Sequence, residues 1–113
     1  MTKLTIPITG RAPALLEADD WPIIASTESW TGQYRNDAGR IWEVEVRAHA
    51  DGRRIVHGRY ITRWQGERDL EVGELVPPEG DLIDVLHGLV EDIGGDDRLV
   101  QGVLDSLPPE PLP

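Results

Sequence analysis

The feature that most constrains this chain is a strict alternation of side-chain character from Arg40 to Trp64, broken by one short polar loop. Between Arg40 and Ala48, Trp42, Val44, Val46 and Ala48 point one way, and Glu43, Glu45 and Arg47 point the other. Between Arg53 and Trp64, Val56, Tyr60, Thr62 and Trp64 share a side. A period of two marks a strand with one buried face. Ala50-Asp51-Gly52 suits a three-residue hairpin loop, a type I turn closed by a left-handed glycine. That loop sets His49 opposite Arg53, and the register follows: Trp42 opposite Tyr60, Val44 opposite Gly58, Val46 opposite Val56, Glu43 opposite Arg59 and Glu45 opposite His57. A two-residue turn would slip the register by one and set Val44 against Arg59, mixing apolar and charged faces.

Asp37-Ala38-Gly39 repeats the loop chemistry and predicts a preceding strand with Tyr34 opposite Trp42, Gly32 opposite Val44 and Trp30 opposite Val46. The expected apolar face is Trp30, Tyr34, Trp42, Val44, Val46, Val56, Tyr60 and Trp64. Gly32 and Gly58 beside Val44 leave a hollow where a helix can approach closely. Helical spacing of Leu82, Ile83, Val85, Leu86, Leu89, Val90 and Ile93 predicts a helix capped at Asp81 and ended by Gly94-Gly95. A second, shorter helix runs from an Asp96 or Asp97 cap through Leu107, where Pro108 and Pro109 stop it. Towards the N-terminus, Leu4, Ile6 and Ile8 read as a strand, with Ala12–Leu16 pairing back. Asp19 or Asp20 is placed to cap a short helix through Trp21–Ala25. Residues 66–80 read mainly as connection, with a short strand at Leu70–Val72. The expectation is one α+β domain over residues 1–107, an antiparallel sheet with a central three-stranded meander and helices packed on one face, followed by an extended Pro-rich tail at 108–113.

A chain of 113 residues has room for one modest core. The absence of cysteine removes disulfides and zinc–thiolate sites. Lys3 is followed by an alternating run unlike a signal peptide, and no stretch approaches the ~20 apolar residues of a membrane span. The reading is a cytoplasmic protein with no membrane partner.

Candidate chemistry is sparse. His57 beside Glu45, with His49 on the same outer face, admits a general base or a metal ligand; a surface cross-strand ion pair explains the same residues. No signature gives Ser26, Ser29 or Ser106 a base and an oxyanion site. Gly94-Gly95 ends a helix, where a phosphate loop would begin one. The expectation is a protein that is not an enzyme and uses no metal or other cofactor. Arg35, Arg47, Arg59 and Arg63 on the polar sheet face raise nucleic-acid binding, but Glu43 and Glu45 interrupt them and the chain as a whole is acidic.

Charge is segregated along the chain. Residues 66–113 carry thirteen acids against two arginines, whereas residues 30–65 carry seven arginines against four acids, within a net charge of −10. That exceeds the magnitude of about 2–8 that keeps a small domain soluble. Carboxylates spread over two helices can imitate the phosphates of a duplex and occupy a basic channel, with fast, salt-sensitive association. Solubility and helix capping account for part of the same pattern. The candidate partner-binding residues are Asp84, Glu91 and Asp92 on the long helix, with Asp96 and Asp97 at the next cap.

Residues 3–65 contain the successive runs Leu4-Thr-Ile-Pro-Ile-Thr-Gly-Arg-Ala-Pro13, Asp20-Trp-Pro-Ile-Ile-Ala25 and Val46-Arg-Ala-His-Ala-Asp-Gly-Arg-Arg-Ile-Val-His-Gly58, the last preceded by Trp42. This order resembles short uncharacterised proteins of proteobacterial plasmids and phages. The resemblance implies a setting that includes anti-CRISPR and anti-restriction proteins, and it carries over no catalytic residue. The expected function is a non-enzymatic, acidic protein-binding module, an inhibitor of a host nucleic-acid-handling defence complex such as a CRISPR effector. Its partner is a host protein with a basic surface, not nucleic acid itself. The alternative is a structural or regulatory interaction protein that self-associates as a homo-oligomer, through the sheet's polar face or an exposed edge strand.

Overall fold

The computed structural model describes residues 2–30 and 39–109. Two strands, β1 (Lys3–Ile8) and β2 (Arg11–Glu17), form an antiparallel hairpin, with Ile6 opposite Ala14 and an irregularity between Ile6 and Ile8. A 3-10 turn at Ala18–Asp20 leads into β3 (Ile23–Trp30), β4 (Arg40–Ala48), β5 (Arg54–Thr62) and β6 (Leu70–Val76). These four strands make one antiparallel sheet in the order β3-β4-β5-β6. Two helices follow, α1 (Leu82–Asp92) and α2 (Asp97–Ser106).

The β4–β5 hairpin has the register that its loop chemistry dictates. Trp42 pairs with Tyr60, Val44 with Gly58, Val46 with Val56, Glu43 with Arg59 and Glu45 with His57. The His49 N–H donates to the Arg53 carbonyl at 2.8 Å, and Gly52 takes the left-handed conformation at φ 96°. The reading of the strand before β4 is corrected. Trp30 pairs with Ile41 and not Val46, Thr27 pairs with Val44, and the partner strand is Ile23–Trp30. Tyr34, Gly32, Arg35 and the Asp37-Ala38 part of the loop lie outside the described residues. The short helix expected through Trp21–Ala25 is also replaced, because Ile23 to Ala25 already belong to β3. The short strand expected at Leu70–Val72 runs on to Val76 and forms the fourth strand of the sheet, beside β5.

The helices and the sheet share a core of Ala25, Val44, Val46, Val56, Val76, Leu86, Leu89, Val90, Ile93, Leu99, Val100 and Val103. The hollow expected at Gly58 is filled: a Cβ there would lie 2.5 Å from Leu89 Cδ2 and 3.2 Å from Ile93 Cδ1. The Trp42 indole stacks on Tyr60 with centroids 4.9 Å apart, and its N–H donates to the Ile93 carbonyl at 2.8 Å, tying the sheet to the end of α1. Ile83, expected in the apolar helix face, is half exposed, and Trp64 lies outside the core with Arg40 5.2 Å from its ring centroid.

A second core holds Ile6, Ile8, Leu16, Trp21 and Ile55, with Ala14 and Leu75 packed against it. Ile55 alternates with Val56, so these residues sit on the opposite side of the sheet from the helices. The hairpin β1–β2 therefore covers part of the face that the sequence reading left polar and open. Its contact with β6 is close: the Thr9 N–H donates to the Gly73 carbonyl at 2.9 Å, and a Cβ on Gly73 would overlap the Pro7 carbonyl.

Candidate functional site

All five partner-binding candidates are exposed. Asp84, Gly88, Glu91 and Asp92 follow one another along the outer side of α1 at helical spacing, and with Glu74 of β6 they line a shallow cleft of about 420 Å³. Among the described residues, none of Glu74, Asp84, Glu91 and Asp92 makes an ion pair. Capping does not account for Glu91 and Asp92, which occupy the last turn of α1, where no basic residue offsets the negative end of the helix dipole.

Asp96 and Asp97 stand apart at the start of α2. Asp96 is the N-cap; its carboxylate accepts from the Arg98 N–H at 3.0 Å and from the Arg98 guanidinium at 2.8 Å, and Arg98 lowers its pKa. Asp97 lies 3.8 Å from His87 of α1. The structure thus brings three of the five candidates into one cleft and leaves two beyond its end. Glu74 lies beyond the short strand expected at Leu70–Val72 and so is not among the candidates that the sequence suggests. The alternation of Leu70, Val72, Glu74 and Val76 against Glu71, Gly73 and Leu75 was the available signal.

The arginines of the sheet are engaged internally. Arg59 donates to Glu43 at 2.7 Å, Arg47 to Glu45 at 3.3 Å and Arg53 to Asp51 at 2.8 Å, while Arg54 donates to the carbonyls of Pro77 and Gly80. Arg40 makes a two-pronged contact with Glu67, at 3.1 and 2.7 Å. The Arg40 guanidinium, with the Thr62 and Tyr60 hydroxyls that also donate to Glu67, holds that carboxyl down to about 2. Four of the seven arginines of residues 30–65 are thereby matched by carboxylates of the same sheet, its hairpin loop and the β5–β6 connection, and Arg54 is held by backbone carbonyls.

His57 is the one buried polar residue among those described, at 8 % exposure. Its Nδ1 lies 3.2 Å from Glu45 Oε1 and its Nε2 lies 2.8 Å from Glu71 Oε1. Burial disfavours charge on the ring, but the hydrogen bonds to Glu45 and Glu71 outweigh it, so His57 titrates above the usual histidine value. The same contact, helped by Arg47, lowers the pKa of Glu45. With both nitrogens occupied, the ring has no free atom to act as a base. The two carboxylates sit at opposite edges of the ring, and no group of three histidine, aspartate or glutamate residues is placed to hold a metal among the described residues. His49 is elsewhere, its ring 5.0 Å from that of Trp21 and its Nδ1 accepting from the Asp51 N–H. Ser106 Oγ accepts from the Ser26 N–H and donates to the Val103 carbonyl, a bridge between α2 and β3.

No family model matches the chain, and no curated protein or solved structure matches it. No helix among the described residues is long and apolar enough to cross a membrane.

Proposed function

We propose that this protein is a non-enzymatic binding module that presents carboxylates to a basic protein surface, acting as a mobile-element inhibitor of a host nucleic-acid-handling defence complex of the CRISPR-effector kind. The observation that carries the reading is the α1–β6 cleft: Glu74, Asp84, Glu91 and Asp92 converge there without a counter-cation among the described residues, while Arg40, Arg47, Arg53 and Arg59 are paired elsewhere. Unpaired carboxylates create a negative field that steers a basic partner into contact and excludes nucleic acid. Two of them sit against the helix dipole, an arrangement that stability alone disfavours. Asp97 extends the surface towards α2, and Asp96 contributes less because Arg98 neutralises it. The mobile-element setting rests on the sequence resemblance over residues 3–65.

The test is affinity capture of the tagged protein from a host lysate at low and high salt, beside the variant E74Q/D84N/E91Q/D92N. Wild type should retain a nucleic-acid-handling complex that elutes with salt, and the folded variant should not. Equal retention by both defeats the reading. Retention of an untagged copy of the chain alone would transfer the reading to self-association. Against that rival, α2 occupies the Ser26 N–H of β3 and the hairpin occupies the Gly73 carbonyl of β6, so both sheet edges are partly closed.

A further inference from the structure

A neutral imidazole carries one N–H, so it can donate at one nitrogen and must present a lone pair at the other. An ionised carboxylate only accepts. His57 has carboxylate oxygens at both nitrogens, 3.2 Å away on Glu45 of β4 and 2.8 Å away on Glu71 of β6, so the geometry is satisfied when both nitrogens are protonated. The ring stands between the two neighbouring strands of its own β5. Opposite it on β6 is Gly73, whose carbonyl accepts from Thr9 of the hairpin. On the other side, Glu45 Oε1 also accepts from Arg47 Nε, and Arg47 NH1 donates to the Trp21 carbonyl at 3.0 Å. A continuous polar chain therefore runs Glu71–His57–Glu45–Arg47–Trp21 across the sheet, beside the seat of the hairpin.

We propose that His57 is a pH-sensitive staple: as an imidazolium it ties β6 to β4 and steadies the docking of β1–β2, and its deprotonation at alkaline pH releases β6. On losing a proton the ring keeps one N–H, and one carboxylate is left facing a lone pair in a poorly solvated site. Glu71 is the partner that leaves, because its side chain is 44 % exposed against 23 % for Glu45 and, among the described residues, it has no second cation such as Arg47. Of the other charged groups on this face, those that are paired keep their partners through the change. From β4, Glu43 pairs with Arg59 of β5; from β3, Glu28 is exposed opposite Glu43; from the hairpin, Lys3 pairs with Glu17 and Arg11 lies by the turn. The staple is separate from the acidic cleft and stands whether or not that cleft binds a partner.

The experiment is an NMR titration of the full chain from pH 5 to 10, following the ring nitrogens of His57 and the backbone amides of Glu71 and Gly73. The expected result is a ring protonated at both nitrogens at pH 7, a midpoint above the ordinary histidine value of about 6.5, and β6 amide shifts that move with the same midpoint. In Glu71→Gln, which keeps the side chain's size, the midpoint should fall and the linked β6 response should vanish. A single neutral tautomer in wild type at pH 7 would overturn the proposal. So would ring titration that leaves the β6 amides unmoved, or an unchanged midpoint in Glu71→Gln.

Discussion

At residue scale, His57 and Glu45 stabilise the fold over opposite limits of pH. The His57 pKa is raised on folding, so its contribution is complete below the unfolded value of about 6.5 and disappears as pH rises through the folded value. The Glu45 pKa is lowered, so its contribution is complete above the unfolded value of about 4.3 and is lost as pH falls through the folded one. Urea midpoints measured against pH should therefore show a plateau that declines on both sides, with the alkaline decline absent in His57→Gln. Gly58 makes a steric point at the same scale. Because a Cβ would meet Leu89 at 2.5 Å, Gly58→Ala should destabilise the protein by about 1–3 kcal/mol, read from urea unfolding, as overpacked cores do.

At the scale of elements, the acids of the two helices divide into those that build structure and those that do not. Asp81 accepts from the Asp84 N–H and Asp96 from the Arg98 N–H, each satisfying a donor at a helix start. Asp96→Ala should cost about 1 kcal/mol of stability, measurable by thermal unfolding. Glu91 and Asp92 sit at the opposite pole of α1. Replacing both with glutamine and asparagine should leave stability equal or higher, by about 0.3–1 kcal/mol per charge. If partner capture fell at the same time, stability and binding would be separated in one variant. Much of this was legible in the sequence, since caps, glycine stops and apolar spacing lie within a few residues of the groups they satisfy. The same holds for the β4–β5 register, where one loop and the alternation around it leave a single consistent pairing. The strand before β4 pairs in a register, Trp30 opposite Ile41, that a three-residue Asp37-Ala38-Gly39 loop would not produce, so turn chemistry alone did not locate it.

At the scale of the molecule, the net charge of −10 is not spread evenly among paired and unpaired groups. Arg40, Arg47, Arg53 and Arg59 are matched by carboxylates, and the carboxylates without an ion pair among the described residues include those of the α1–β6 cleft. Association with the proposed basic partner should accordingly weaken steeply between about 50 mM and 500 mM salt, as screening shortens from more than 10 Å towards 3 Å; binding measured at several salt concentrations checks this. The helix-side core should dominate stability: Leu89→Ala, at a fully buried position, should cost about 2–5 kcal/mol in urea unfolding. The sequence by itself determined the elements whose partners are close along the chain: the β4–β5 hairpin, the two capped helices and the glycine hollow between them. Only the tertiary structure decided that β6 runs on to Val76, that the hairpin β1–β2 covers the reverse face, and that Glu71 and Glu74 join His57 and the α1 acids. Local turn and capping chemistry acts over a few residues. These remaining contacts are set by packing between elements and not by the residues that join them, and each is favourable only once the shared core has brought its partner into reach.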